Sequence, residues 1–364
     1  MSEQMAAPRT TIIAEVGVNH NGSLAMARAL IAMAAEAGAD IVKFQTFRAD
    51  LLVSKQAPKA TYQQVTTGSE ESQHAMISRL ELGEEEHQLL IEQCRACGIR
   101  FLSTPFDVAS LTMLVYRFDL PLIKIPSGEI TNGPFLLEIA RTGRPVILST
   151  GMSTLNEIEA ALSVLAFGYL GLGVPPGRRA FQEAYRSPQG RALLDRNVTL
   201  LHCTTEYPAP LQDVNLQAMD TIRERFSLPV GYSDHTAGIT VPVAAVARGA
   251  VMIEKHVTLD RSLPGPDHRA SLEPEELQQM VRSIREVEQA LGSGCKEPAA
   301  SELKNRDVAR KSLVAAESVR AGECFTVDNV AIKRPGTGLS PMGYWELLGQ
   351  VSRKDLQPDE VILP

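Results

Sequence analysis

The chain has 364 residues with 36 lysines and arginines against 43 aspartates and glutamates. This length allows about two domains, and the net charge of −7 argues against nucleic acid as the main partner, because phosphate binding needs a basic surplus. Five cysteines, no secretory signal at the N-terminus, and glycines and prolines that interrupt the uncharged stretch 160–177 together predict a cytoplasmic protein without a membrane span.

Short β-branched runs alternate with helical patterns over residues 11–291. The predicted strands are 11–16, 40–44, 99–103, 121–125, 145–149, 198–202, 229–232 and 250–256. Apolar residues at helical spacing predict helices between them, among them 24–37, 84–97, 215–226 and 274–291. This strand-then-helix alternation predicts a (β/α)8 TIM barrel. A doubly wound open sheet is the alternative, although no GxGxxG follows the first strand.

Longer connections interrupt this rhythm and suggest the domain boundaries. Residues 48–80 and 167–197 are long enough to be functional lids or insertions, and the second contains a predicted helix near 179–195. A polar stretch rich in Gly, Pro and Ser at 292–305 is typical of a linker. The prediction is therefore a barrel over 1–291, a linker over 292–305, and a small β-rich module over 306–364.

Nearly every predicted barrel strand ends in a polar side chain. These side chains are Glu15, Lys43, Gln45, Thr104, Lys124, Ser127, Glu129, Ser149, His202, Thr204, Ser233, His235, Glu254 and His256. The carboxyl ends of barrel strands converge on one face, where barrel enzymes have their active sites. The pattern therefore predicts an enzyme.

Lys43 and Lys124 lie within apolar runs, where a buried charge needs a partner. One interpretation is a lysine paired with a buried carboxylate, and the other is a clamp for a small phosphorylated anion. His235 and His256 end neighbouring strands and could ligate one divalent metal ion. Glu129 is a candidate acid or base, or else a carboxylate at a helix N-terminus.

The other histidines carry weaker expectations. His20, His74, His87 and His268 are expected at the solvent or in loops. For His202 the sequence leaves open whether its role is structural or functional.

Motifs along nearly the whole chain resemble the sialic acid synthase family, which includes the N-acetylneuraminate and legionaminic acid synthases. They include IIAEVGVNHNG (12–22), AGADIVKFQTF (37–47), IKIPSGEITN (123–132), LLHCTTEYPAP (200–210), LPVGYSDHT (228–236), IEKHVTLDR (253–261), GPDHRASLEP (265–274) and KRPGTG (333–338). The resemblance implies a (β/α)8 barrel with a C-terminal antifreeze-like (SAF) domain. It also implies a domain-swapped homodimer in which that domain covers the partner's active site.

The activity implied by this resemblance is N-acetylneuraminate synthesis from phosphoenolpyruvate, N-acetylmannosamine and water. Phosphate leaves by C–O bond cleavage, and a divalent metal ion, Mn²⁺ or Mg²⁺, is required. Legionaminic or pseudaminic acid synthesis from a 2,4-diacetamido-2,4,6-trideoxyhexose is the alternative. Two further alternatives are a barrel that condenses phosphoenolpyruvate with a sugar phosphate, and a non-catalytic sugar-binding protein.

The family's roles carry over to matching positions. His235 and His256 match the metal ligands, and Glu129 matches a carboxylate placed for proton transfer. The matches to the phosphoenolpyruvate pocket are Lys43, Thr104, Lys124, Ser127, Ser149 and Ser233, with Thr205 where some members have Asn. The positions that hold the sugar are Glu15, Gln45, Tyr207 and Asp267, with Arg334 delivered by the swapped domain to the N-acetyl group.

Overall fold

The computed structural model describes residues 9–68 and 70–364, in which the chain divides into two compact units. The larger unit ends at Ser293 and the smaller one comprises Gly294–Pro364. This division falls inside the stretch expected to be a linker.

Eight parallel strands form the sheet of the larger unit, and their neighbours run in the order β3-β2-β1-β8-β7-β6-β5-β4. The strands are β1 Thr11–Gly17, β2 Ile41–Thr46, β3 Arg100–Pro105, β4 Ile123–Ile125, β5 Val146–Ser149, β6 Val198–Cys203, β7 Val230–Asp234 and β8 Met252–His256. The end strands β3 and β4 lie beside each other, so the sheet curls into a barrel. The predicted (β/α)8 class is confirmed.

Helices follow the strands along the chain. They are α1 Leu24–Glu36, α2 Ala49–Leu52, α3 Thr61–Thr67, α4 Gln73–Ser78, α5 Glu84–Cys97, α6 Val108–Thr112, α7 Gly133–Arg141, α8 Leu155–Leu170, α9 Arg178–Arg186, α10 Pro188–Asn197, α11 Ala218–Phe226, α12 Thr240–Ala247 and α13 Pro274–Leu291. Their ends follow local chemistry: the Ser23 hydroxyl accepts from Met26 N at the start of α1. None of the described helices is long and apolar enough to cross a membrane.

The two long connections are more ordered than the sequence indicates. Residues 48–80 contain α2, α3 and α4. The helix expected near 179–195 is two helices, α9 and α10, because Ser187 caps the second and Pro188 occupies its first turn. Proline at that position lacks the N–H that a continuous helix would need.

The barrel interior is apolar at its amino-terminal end and polar above it. Ile13, Ile41, Leu102, Ile147 and Leu201 form a buried cluster inside the sheet. Side chains on one face of a strand recur every second residue. The residues two positions further on therefore also point inwards, and these are Glu15, Lys43, Thr104, Ser149 and Cys203. The alternation of side-chain direction along each strand therefore places a layer of polar side chains above a layer of apolar ones inside the barrel.

The smaller unit has its own core. It contains α14 Ala300–Ala309, β9 Ser312–Ala315, β10 Val330–Lys333 and α15 Tyr344–Leu347, with β9 and β10 antiparallel. The buried core residues are Leu313, Ala315, Val319, Phe325, Val330, Leu347, Leu356 and Ile362. Part of the segment expected as a linker is therefore helical.

Candidate active site

A cavity of about 380 Å³ opens at the carboxyl ends of the strands. It gathers most of the residues that the sequence singles out, from every strand of the barrel. These are Glu15, Lys43, Gln45, Thr104, Lys124, Ser127, Ser149, Thr205, Tyr207, Ser233, His235, His256 and Asp267. The strands deliver these side chains to one face because they are parallel and closed into a ring.

Two lysines and two glutamates, Glu15, Lys43, Lys124 and Glu254, form the floor of the cavity, and all four are buried. Lys43 Nζ lies 2.5 Å from Glu15 Oε2 and 3.6 Å from Glu254 Oε2. Lys124 Nζ lies 3.5 Å from Glu254 Oε1. The formal charges of the two lysines and two glutamates cancel. Each lysine is paired with a buried carboxylate, which is one of the two interpretations of the sequence, and each also lines the cavity.

Burial and charge act in opposite directions on these groups. Burial raises the pKa of Glu15 to about 7 although Lys43 is adjacent. At Glu254 the effect of burial is outweighed by Lys124 and Lys43, which lower its pKa to about 2. Burial lowers the pKa of Lys124, whereas at Lys43 the two glutamates outweigh burial and raise the pKa. The two lysines therefore favour the ionised form of Glu254, whereas burial shifts Glu15 towards its protonated form.

Hydroxyl groups surround this floor. Ser233 Oγ donates to Glu254 Oε1 at 2.8 Å, and Thr104 Oγ1 accepts from Lys43 Nζ at 3.1 Å. Ser127 Oγ accepts from Gly151 N at 2.9 Å. Ser149 Oγ is buried and has no hydrogen-bond partner among the described residues. A buried hydroxyl without a partner beside two ammonium groups suits an anionic ligand.

His235 and His256 stand next to each other above the floor, with their ring centroids 5.6 Å apart. His235 Nδ1 lies 2.7 Å from the carbonyl oxygen of Thr204, and the Tyr207 ring packs 4.2 Å from the His235 ring. Burial lowers the pKa of both imidazoles, and at His256 the neighbouring His235 adds to this effect. Both rings are therefore neutral at pH 7, the form in which histidine ligates metals.

This pair fits a divalent metal ion with open coordination positions. The hydrogen bond from His235 Nδ1 to Thr204 makes that nitrogen the donor, which leaves the Nε2 lone pair available. His256 Nδ1 is buried without a hydrogen-bond partner in the described structure. Within the residues that the structure covers, no third His, Cys, Asp or Glu completes a cluster with the pair. Water and substrate oxygens could supply further ligands.

Asp267 reaches the cavity from the loop after β8, and that loop is tied to the β1–α1 turn. Asn21 Nδ2 donates to the carbonyl of Pro264 at 2.9 Å, and Ser271 Oγ donates to the backbone oxygen of Asp267 at 2.7 Å. Burial raises the pKa of Asp267 to about 6. On the other side, Gln45 Nε2 donates to Glu15 Oε1 at 3.3 Å.

Glu129 lies outside the cavity of the larger unit. Glu129 lies in the short 3-10 helix Ser127–Glu129, where its carboxylate accepts from Asn132 Nδ2 at 2.7 Å. It is absent from the cavity lining, so its proton-transfer role stays a prediction. Arg334 follows β10 in the smaller unit and is exposed.

The expectation for the other histidines is wrong for His87, which lies inside α5, whereas His20 and His268 lie in connections as expected but are buried there. His20, His87 and His268 have no exposed surface. His87 Nε2 lies 2.8 Å from Thr46 Oγ1, and His268 Nδ1 lies 2.7 Å from Thr258 Oγ1, so polar partners inside the fold make burial possible. His202 Nε2 lies 2.7 Å from the Val214 carbonyl, which is a structural contact.

Sequence reasoning misses part of the lining. Glu254 stands out in sequence only as a strand-end residue without a role, although its position two residues before His256 places both on the inner face of β8. Cys203 is likewise two residues beyond the interior Leu201. The apolar lining from residues 47–80 has no sequence signal, because the composition of that segment is that of a polar connection.

Comparisons with known proteins give matches in both the larger and the smaller unit of the chain. The NeuB family model matches residues 30–296, and the SAF domain model matches residues 310–364. The chain is 48% identical over 354 residues to the N,N'-diacetyllegionaminic acid synthase of Campylobacter jejuni, which covers 97% of this chain and 99% of the relative. It is 45% identical over 352 residues to the synthase of the same name from Legionella pneumophila, covering 97% and 93%.

A solved structure is also similar. It is the N-acetylneuraminic acid (sialic acid) synthetase of Leptospira borgpetersenii in complex with citrate, at 35% identity and a TM-score of 0.65, covering 82% of this chain and 90% of that one. The similarity therefore includes both fold and sequence.

Proposed function

Because the chain belongs to the NeuB family and carries an SAF domain, we propose that it is an N,N'-diacetyllegionaminic acid synthase. It condenses phosphoenolpyruvate with 2,4-diacetamido-2,4,6-trideoxymannose and water. The observation that carries the proposal is the convergence in one cavity of two buried lysines, an imidazole pair and Ser149, whose hydroxyl has no hydrogen-bond partner among the described residues.

The choice of sugar follows the relatives. Both synthases named for N,N'-diacetyllegionaminic acid have higher identity to this chain than the sialic acid synthetase of known structure. The acceptor that the sequence motifs favour, N-acetylmannosamine, therefore becomes the second candidate. We keep cytoplasmic location and the domain-swapped homodimer as parts of the proposal.

In this proposal, phosphoenolpyruvate lies on the cavity floor. Lys43 and Lys124 contact its carboxylate and phosphate, and the hydroxyls of Ser127 and Ser149 donate to the remaining oxygens, while Ser233, whose proton goes to Glu254, borders the same space. The ammonium groups of these lysines pair with Glu15 and Glu254, and the bound anion would add a second negatively charged partner for each of them. Thr104 and Thr205 border the same space.

The proposed reaction forms one C–C bond and breaks one C–O bond. C3 of phosphoenolpyruvate attacks the aldehyde carbon of the open-chain sugar, whose oxygen takes up a proton. Water adds to the cationic C2 and loses one proton, and the bond from C2 to the phosphate oxygen then breaks while the new C2 hydroxyl loses its proton, which leaves a 2-keto group and hydrogen phosphate. Glu15, Gln45, Tyr207 and Asp267 line the cavity where they could hold the sugar and exchange these protons.

His235 and His256 would hold a divalent metal ion, Mn²⁺ or Mg²⁺. When bound, such an ion supplies Lewis acidity towards the aldehyde oxygen. The two imidazole rings stand 5.6 Å apart, and the Tyr207 ring packs against that of His235.

Phosphate release from phosphoenolpyruvate with Mn²⁺ tests this function. We expect turnover with 2,4-diacetamido-2,4,6-trideoxymannose at least ten-fold above that with N-acetylmannosamine, because the two sugars differ at both C4 and C6 and even one altered substituent allows about ten-fold discrimination. A reversed preference would support sialic acid synthesis instead. Absence of phosphate release with both sugars would overturn the synthase proposal, and sugar binding without release would favour a non-catalytic protein.

A further inference from the structure

One side of the cavity is apolar and comes mainly from the connection between β2 and α5. We call the side chains of Val18, Phe47, Val53, Met76, Ile77 and Leu80 the apolar wall. All six line the cavity. They also pack against one another in a cluster separate from the main core of the barrel.

Two glutamines provide the polar groups of this side. Gln63 and Gln73 line the cavity beside the apolar wall. Gln73 Nε2 lies 3.4 Å from Gln63 Oε1, and that oxygen also accepts from Ala60 N at 3.0 Å. No charged residue of 47–80 lines the cavity among the side chains that the structure describes. This side therefore has no cation for a sugar phosphate.

The apolar wall faces the part of the sugar that does not react. The floor lies at Lys43 on β2, Gln45 is two residues further along that strand, and Phe47 follows immediately beyond its end. The aldehyde carbon must lie near the floor and the imidazole pair to reach phosphoenolpyruvate. The opposite end of the open-chain sugar, with C4 to C6, then points towards the apolar wall.

We propose that the apolar wall and its two glutamines select a 6-deoxy sugar with an acetamido group at C4. This rests on the proposed function and extends it to the residues that choose the acceptor. A C6 methyl group gains contact with the apolar side chains, whereas a C6 hydroxyl loses its water there without a new partner. An amide at C4 matches a glutamine amide, which offers one donor group and one acceptor.

The segment that carries the apolar wall is held in place internally. The ammonium of buried Lys59 donates to Thr67 Oγ1, the Gly68 carbonyl and Glu71 Oε1 at 2.9–3.0 Å. The Glu71 carboxylate also accepts a hydrogen bond from each of the two terminal guanidinium nitrogens of Arg79. A wall fixed before the sugar arrives can discriminate between substituents, because the site does not reshape around the wrong one.

Three acceptors separate the two features of the sugar. They are 2,4-diacetamido-2,4,6-trideoxymannose, 2-acetamido-2,6-dideoxymannose and N-acetylmannosamine, which differ first at C4 and then at C6. We measure kcat/KM for each with Gln73→Met and Met76→Gln. Gln73→Met should reduce the preference in kcat/KM for the diacetamido sugar over 2-acetamido-2,6-dideoxymannose about ten-fold or more. Met76→Gln should reduce the preference in kcat/KM for 2-acetamido-2,6-dideoxymannose over N-acetylmannosamine about ten-fold. Ratios are independent of the fraction of folded enzyme.

Matched controls use the same substitutions away from the cavity. Gln64 lies in the same segment and is exposed, whereas Met26 lies in α1 and is partly buried; neither lines the cavity. Gln64→Met and Met26→Gln should leave both ratios within two-fold of the wild type. Unchanged ratios in Gln73→Met and Met76→Gln, or equal changes in the controls, would overturn the role of the apolar wall.

A binding measurement keeps the two proposals separable. The open-chain sugar alcohols of the first and third acceptors are titrated into the wild-type protein by calorimetry. Tighter binding of the diacetamido alcohol supports the apolar wall even if no phosphate is released, in which case only the synthase proposal fails. Equal binding, together with phosphate release, would overturn the apolar wall and leave the synthase proposal standing.

Discussion

Lys43 and Lys124 illustrate how one side chain can meet two requirements. Each ammonium is buried against a glutamate, as a charge in an apolar strand needs to be. Each also lines the cavity. The two interpretations that the sequence leaves open therefore describe the same geometry, because the floor alternates cations and carboxylates around an open space.

Lys124→Met should raise the KM for phosphoenolpyruvate at least ten-fold, since it removes a charged contact to the anion. It also leaves Glu254 with one lysine instead of two, so stability should fall. Adding Glu254→Gln removes that excess charge, and the double variant should regain stability without regaining affinity for phosphoenolpyruvate. Recovery of both in steady-state kinetics and urea unfolding would contradict the role of Lys124 in anion binding.

Asp267 should make stability depend on pH. Its folded pKa of about 6 lies above the ordinary value of 3.8, so the folded protein holds this proton more tightly than the unfolded chain. Its contribution to stability is full below about pH 4 and is lost as pH rises through 6, by at most about 3 kcal/mol. Asp267→Asn should gain stability relative to the wild type between pH 4 and 7, measured by urea unfolding without ligands. A constant difference across that range would contradict the assignment.

At the scale of elements, the connection between β2 and α5 is where expectation and structure differ most. The sequence of 48–80 lacks a sustained period, yet it forms three short helices, an internal ion-pair network and the apolar wall. Helices this short depend on tertiary packing rather than on propensity. Their existence therefore has no local signal, whereas the long amphipathic patterns of α5 and α13 predict those helices correctly.

The β1–α1 turn supports that connection through a close backbone contact. Gly22 has φ +73°, and a Cβ there would lie 2.5 Å from the carbonyl oxygen of Arg79. Gly22→Ala should therefore lower the unfolding free energy by about 1 kcal/mol for the backbone conformation and by about 1–3 kcal/mol more for the clash. It should also increase hydrogen exchange over 70–82 and raise the KM for the sugar.

Gly143→Ala is the matched control for this turn. Gly143 has a similar φ of +70°, but a Cβ added there would meet no atom within 4 Å. Gly143→Ala should lower the unfolding free energy only by the roughly 1 kcal/mol of the backbone conformation, and it should leave hydrogen exchange over 70–82 unchanged. Equal effects of the two substitutions would mean that the contact between Gly22 and Arg79 does not support the connection.

At the scale of the whole molecule, the site as proposed needs a residue from the smaller unit. Arg334 lies in that unit, and its role in holding the N-acetyl group is implied by the family resemblance. Arg334→Ala should raise the KM for the sugar, and His235→Ala should abolish metal-dependent turnover. Co-expression of the two variants tests whether the smaller unit acts on the partner's barrel.

In a swapped homodimer, a mixed dimer has one barrel with His235 that receives Arg334 from the other chain. Random pairing should then restore about a quarter of the wild-type sites at low sugar concentration. Without swapping, each barrel keeps the defect of its own chain, and activity should not exceed that of the two variants measured separately. Size-exclusion chromatography with differently tagged chains verifies that mixed dimers form.

The barrel, its strands and most of the polar residues in the cavity follow from sequence, because local alternation and helical periodicity repeat along the chain. Residues two positions apart on a strand share a face, so the sequence by itself determines that Glu15, Lys43 and Ser149 lie together at one end of the barrel. The local sequence does not predict which of these charged side chains contact one another. The Glu254 contacts, the burial of His20 and His87, and the apolar wall depend on residues far apart in sequence, and only the packed chain brings those residues within contact distance.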